Sequence, residues 1–265
     1  MINLFIPKLI LSFLAGSIWI TTSTIVAEKF GTKVGGVLAG LPTTVLISFF
    51  FIGWTQNVYV VREATAIVPI IMGMNAVFVL IYILLLPKSF LLAVSGAMFS
   101  WLMFVFGLYL VEFDNFLLGF PILIFLVSIC YYIPEKRMVI VPQKKRNIKY
   151  SFLQLIMRGL ISGGIIASAV TIAKFGGPLL GGAFSCFPAV MTSTMIITYL
   201  AHGKSFSMAV MKILMISAPA NVVAFAATLR FAIIPFGLIG GTLVSFAISI
   251  LCSYFVFLFV RKKML

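Results

Sequence analysis

Two asparagines, Asn75 and Asn221, lie inside long apolar runs and are 146 residues apart. Two prolines, Pro42 and Pro188, lie inside other apolar runs at the same separation. These are the residue types with the most to do in such surroundings. A side-chain amide in hydrocarbon must find a partner in protein or water. A proline inside a helix removes one backbone N–H and displaces the carbonyl four residues back, freeing the carbonyls near Leu38 and Phe184. If either helix unwinds there, the half-helix that starts at the proline points a positive dipole end into the membrane. Thr43, Thr44 and Ser48 follow the first proline, and Ser185, Thr192, Ser193 and Thr194 flank the second. Two readings stand for the prolines, a simple kink or an unwound binding site. Two stand for the asparagines, interhelical glue or contacts to a polar substrate from both sides.

Carboxylates are informative by their absence. Glu28 and Glu63 fall at expected helix ends, and Glu112 and Asp114 fall in a loop. No span therefore offers the intramembrane acid that proton-coupled carriers commonly use. An enzyme is not expected, because acid–base and nucleophilic catalysis need a positioned acid, base or activated nucleophile. The chain has a lone histidine, His202, and its three cysteines, Cys130, Cys186 and Cys252, lack metal-ligand spacing. No metal or cofactor is expected.

The elements that position these residues follow from composition. The 265 residues are 63% hydrophobic and 9% charged, and a soluble domain of this size needs a far more polar coat. An all-α polytopic membrane protein is expected, with membrane lipids as its surroundings. A span needs about 20 apolar residues. Nine segments qualify: 8–28, 34–54, 65–86, 89–111, 115–133, 152–174, 178–201, 207–229 and 232–259. The basic excess of 19 Lys and Arg over 5 acids falls mostly in the gaps between them, where it sets orientation. No nucleic-acid partner is expected. Placing the basic 134–150 loop in the cytoplasm puts 15 of the 19 basic residues there. That gives a cell-membrane protein with its N-terminus outside and its C-terminus inside. Arg158, Lys212 and Arg230 are expected to snorkel to an interface, with attraction of an anion as the other reading for the first two.

The sequence also repeats. Lys29-Phe30-Gly31 reappears as Lys174-Phe175-Gly176, and Gly35-Gly36 as Gly181-Gly182, ahead of the paired prolines and asparagines. Three units are expected: a first four-helix repeat over 1–112, a linker helix with a basic loop over 113–150, and a second four-helix repeat over 151–265. An odd number of spans precedes the second copy, so it enters the membrane inverted, a 4+1+4 organisation. Inverted repeats related by an axis in the membrane plane are a transporter architecture, with the site near the midplane between copies.

The Lys-Phe-Gly, the glycine pair and the following Leu41-Pro42 or Phe187-Pro188 resemble small GlpM-type integral membrane proteins, which are about one repeat long. A fused inverted pair is similar in organisation to the drug/metabolite transporter superfamily, whose small members assemble as antiparallel dimers. These resemblances imply membrane location and transport, without a substrate. Helix 1, uncharged from Leu9 to Ala27, lacks the carboxylate that small multidrug exporters carry there. The expectation is a permease for a neutral polar or anionic small molecule or lipid head group. Its candidate binding residues are Pro42, Thr43, Thr44, Asn75, Pro188, Ser185, Thr192 and Asn221. A non-transporting membrane scaffold is the alternative.

The orientation is testable at the last residue. A green fluorescent protein fused after Leu265 should fluoresce in a bacterial host and an alkaline phosphatase there should stay inactive, with the reverse pattern overturning the assignment.

Overall fold

A computed structural model describes residues 2–137 and 151–263, leaving aside the side chains of 2–3, 23–39, 137, 261 and 263. The part of the basic loop from 138 to 150 lies outside the described residues. Among those described, every regular element is helical.

The chain runs through α1 (Ile2–Ala39), α2 (Thr43–Thr55), α3 (Val58–Ala64), a single 3-10 turn (Thr65–Ile67), α4 (Val68–Leu85), α5 (Phe90–Leu110), α6 (Phe116–Arg137), α7 (Phe152–Ser185) and α8 (Ala189–Lys263). The last two are not straight rods. Gly177, Gly203 and Gly237 take positive φ of 87°, 80° and 67°, a conformation that glycine alone adopts freely. The chain folds back at each. A Cβ on Gly181 would lie 2.8 Å from the Ala173 Cα, and one on Gly241 2.7 Å from the Ile233 Cα, although eight residues of straight helix span about 12 Å. Thr198 reaches across the Gly203 turn to Ser207 at 2.9 Å. The second half is therefore a sequence of helical segments, 152–176, 178–185, 189–202, 204–236 and 238–263.

The Lys8 ammonium, early in α1, donates to the Trp54 carbonyl near the end of α2, at 2.6 Å. The first part of α1 lies antiparallel to 152–176: Phe5 meets the Lys174 ammonium, and Thr21 meets the Leu155 carbonyl at 3.5 Å. Small residues bring these two helices together. A Cβ on Gly163 would sit 2.5 Å from the Phe13 carbonyl oxygen, and one on Gly159 would meet the Thr21 hydroxyl at 2.5 Å. Such close crossing on small faces is how apolar helices associate in lipid.

Contacts between distant residues sort the charged groups to two ends of the bundle. At one end Arg230 donates to the Arg62 carbonyl at 2.7 Å, Lys8 to the Trp54 carbonyl, and Lys174 lies over the Phe5 ring. At the other Lys204 donates to the Pro87 carbonyl at 3.1 Å, and Lys212 pairs with Glu135. The α3–α4 run is the central helix, with 83% of its apolar window buried against 28% for α5 and 17% for α6. α6 lies along α4, where Gly73 meets Leu123 and Leu126 and Gly119 meets Pro69. Leu91, Leu117 and Phe152 are more than 70% exposed on helices long and apolar enough to cross a membrane. An all-helical, membrane-compatible protein is what these features describe.

Several expectations need correction. The last turn falls at Gly237 rather than at 230–231, because the Arg230 side chain is held along α3 while its own helix continues. The third helix starts at Val58, before residue 65, because the Asn57 side chain caps it by accepting from the amides of Tyr59 and Val60. Arg158 does not snorkel: it is 5% exposed and donates to the Thr194 hydroxyl at 3.5 Å.

The α1–α7 crossing makes a prediction from neighbouring glycines. Gly163→Ala places a methyl against the Phe13 carbonyl and the Ser17 side chain and should cost about 1–3 kcal/mol, read as a lower thermal midpoint in detergent. Gly164→Ala has nothing within 4 Å and should leave the midpoint unchanged or slightly raised.

Candidate functional site

The prolines do not kink continuous helices; they sit at complete breaks. Residues 40–42 and 186–188 are non-helical. Each break separates one half-helix, ending at Ala39 or Ser185, from another, beginning at Thr43 or Ala189. Proline supplies no N–H to carry the helix through, and it pushes Leu41 and Phe187 away from helical backbone. The chain re-enters helix at once: the Thr43 amide donates to Leu41 at 2.8 Å and the Ala189 amide to Phe187 at 2.7 Å.

A broken helix leaves carbonyls that lipid cannot satisfy. Here the partners come from far away in the sequence. The Asn75 amide nitrogen, on α4, donates to the Cys186 carbonyl at 3.0 Å. The Asn221 amide nitrogen, in 204–236, donates to the Gly40 carbonyl at 3.2 Å. The second bond is the first shifted by 146 residues and reversed between donor half and acceptor half. Each half of the chain thus closes the helix break of the other.

The two asparagines differ in their remaining atoms. Asn75 Oδ1 accepts from Trp101 Nε1 at 2.9 Å, so its amide is satisfied at both ends. Residue 247, 146 positions after Trp101, is Ala247. Asn221 Oδ1 is buried without a partner, and its nitrogen also reaches the Ser253 hydroxyl at 3.4 Å.

Between the breaks lies a cavity of about 40 Å³, lined by residues of both, including Gly40, Leu41, Thr44, Asn75, Cys186 and Pro188. It has room for one or a few water molecules. The structure therefore brings Thr44, Asn75 and Pro188 together. Pro42 and Thr43 adjoin them in the chain, and Asn221 reaches the same break from beyond Gly40. Ser185 and Thr192 do not offer their hydroxyls to the cavity, since these turn back to the carbonyls of Gly181 at 2.7 Å and Pro188 at 2.8 Å. Cys186 and Phe187 are cavity residues that residue type did not mark. Their adjacency to Pro188 was the available signal.

Trp101→Phe should expose the difference between the asparagines. Asn75→Leu leaves both Trp101 Nε1 and the Cys186 carbonyl unpaired, costing about 1–3 kcal/mol per group. Asn221→Leu also removes an unsatisfied oxygen and should lower the thermal midpoint less. Adding Trp101→Phe to Asn75→Leu should recover part of the loss, and none of it if the indole hydrogen bond is absent.

The family model described as a protein of unknown function, DUF3147, matches residues 9–114. The matched stretch includes Pro42, Asn75 and Trp101 and ends before α6. No curated protein matches the chain, and no solved structure does.

Proposed function

We propose that the chain is a small membrane permease built from two inverted four-helix copies around a linker helix. Its substrate would be a neutral polar or anionic small molecule or a lipid head group, bound between the copies. The exchanged asparagine–carbonyl bonds carry this reading. They relate four residues by one offset of 146 and pair each break with the opposite half.

Other features support the same arrangement. The helix breaks at 56–57 and 86–89 have counterparts at the Gly203 and Gly237 turns, at separations within a few residues of 146. Equivalent segments near Ser17 and Gly163 cross antiparallel, as copies of opposite polarity must. The match to residues 9–114 covers one such copy. The two ends into which the charges sort agree with nine spans, and the positive-inside rule then places Lys204, Lys212 and the C-terminus in the cytoplasm.

Discontinuous helices at the interface of inverted repeats are where secondary transporters hold their cargo. A scaffold has no need to break two helices at the same depth and spend two buried amides on mending them. The small cavity fits a state closed to both sides, from which either side opens when the copies rock against each other.

Cys186 reports on that motion, because it lines the cavity and is buried. With Cys130 and Cys252 replaced by alanine, a charged, membrane-impermeant methanethiosulfonate reagent should modify Cys186 in both right-side-out and inside-out vesicles. A thiol sealed from both sides until the protein is unfolded would favour the scaffold and reject the permease.

A further inference from the structure

The two breaks leave four backbone N–H groups without acceptors, all on residues that line the space between them. In α2 the Thr43 amide donates to Leu41 and the Leu46 amide to Pro42, while the amides of Thr44 and Val45 have no acceptor among the described residues. In 189–202 the Ala189 amide donates to Phe187 and the Thr192 amide to Pro188, while those of Val190 and Met191 likewise have none. The first turn of any helix leaves such donors. Unusually, all four of these residues line one cavity of about 40 Å³, and they come from two half-helices of 13 and 14 residues.

A second observation marks the cavity as a site for a ligand. Thr44 is 8% exposed and lines the cavity, and its hydroxyl forms no hydrogen bond with the described residues. In a residue so nearly buried, a hydroxyl with no protein partner is left to whatever occupies the space beside it.

The sign of the site follows from what the asparagines do. A helix break presents carbonyls as well as amides, and unwound carbonyls coordinate cations in transporters. Here the carbonyls that end the upstream half-helices, those of Gly40 and Cys186, are each taken by an asparagine N–H. The Leu41 and Phe187 carbonyls are taken by Thr43 and Ala189. The negative ends are capped and the positive ends are left open. No acidic residue lines the cavity.

We propose that this cavity binds a small monovalent inorganic anion of halide size. It is held by the amides of Thr44, Val45, Val190 and Met191 and by the Thr44 hydroxyl. The inference rests on the permease reading only in making this anion the cargo or the co-transported ion; the site itself stands on its donors. Its volume excludes a multi-atom metabolite in this closed state.

The test uses the purified full-length chain with Cys130 and Cys252 replaced by alanine. Sodium chloride is titrated against sodium gluconate at constant ionic strength. Chloride should raise the thermal midpoint saturably, since a ligand of the folded state stabilises it, and should slow alkylation of Cys186. Exchanging sodium for potassium or choline should change neither. Thr44→Val should weaken the apparent chloride affinity about tenfold, or about 1.4 kcal/mol, and Thr44→Ser should retain it.

Stabilisation by sodium with no effect of chloride would overturn the proposal, as would responses independent of the anion. If Thr44→Val does not fold, the chloride titration on the parent chain and on Thr44→Ser decides the matter. A Cys186 sealed from both sides, with a thermal midpoint that chloride still raises saturably, would keep the site and reject transport. A Cys186 open from both sides and indifferent to chloride would do the opposite.

Discussion

In a hydrocarbon surrounding, a helix can be broken only if something nearby takes over its lost hydrogen bonds. That requirement organises this protein. Two prolines open two helices, and the carbonyls so exposed are closed by amides that neither broken helix can supply for itself. Asn75 and Asn221 reach from the long helices of opposite halves, so each half is incomplete without the other. The remaining architecture serves this exchange. Glycines bring α1 and 152–176 into close antiparallel contact, the α3–α4 run is buried at the centre, and three left-handed glycines fold the second half into segments of the right length. Because the asparagines cap carbonyls and leave amides open, the same exchange fixes the electrostatic character of the space between the breaks.

Positions 146 residues apart differ in detail around the two breaks. Trp101 completes the Asn75 amide, while Ala247 stands at the equivalent place and Asn221 keeps a bare oxygen. At the 145-residue offset of the Lys-Phe-Gly stretch Phe13 corresponds to Arg158, and at the 146-residue offset Ser48 corresponds to Thr194, to which that arginine donates. Thr44, with its free hydroxyl, has Val190 opposite. These differences make the surroundings of the two breaks inequivalent. At the end bearing Lys204, Phe90 stacks on Tyr199 at 4.1 Å and Tyr82 bonds Ser207 at 2.8 Å. At the other end an arginine on backbone carbonyl and threonine does comparable work.

Much of the site was legible in the sequence because polar residues in apolar runs are few and each must be satisfied. Asn75, Asn221, Pro42 and Pro188 stood out by type and by their shared offset, and the turns near 177 and 203 followed from apolar run length. Residue type did not reveal what the asparagines bond to, because a backbone carbonyl freed in another helix leaves no mark at the donor's own position. Nor did it separate Thr44, whose hydroxyl is free, from Thr192, whose hydroxyl returns to its own helix. The burial of Arg158 was missed for a similar reason. Its distance from a span end permits snorkelling, and only the packing of 189–202 against it decides otherwise. The turn at Gly237 was misplaced because a charged residue, Arg230, was read as a helix end when its side chain is instead drawn along a neighbouring helix.

The account depends on each half capping the break of the other, and an experimental structure of the full chain in a lipid nanodisc measures that directly. The nitrogens of both asparagines should lie within hydrogen-bond distance of the opposite carbonyl, Asn75 on Cys186 and Asn221 on Gly40, with the two halves running antiparallel. Asparagines bonded within their own halves, or helices continuous through Pro42 and Pro188, would contradict it.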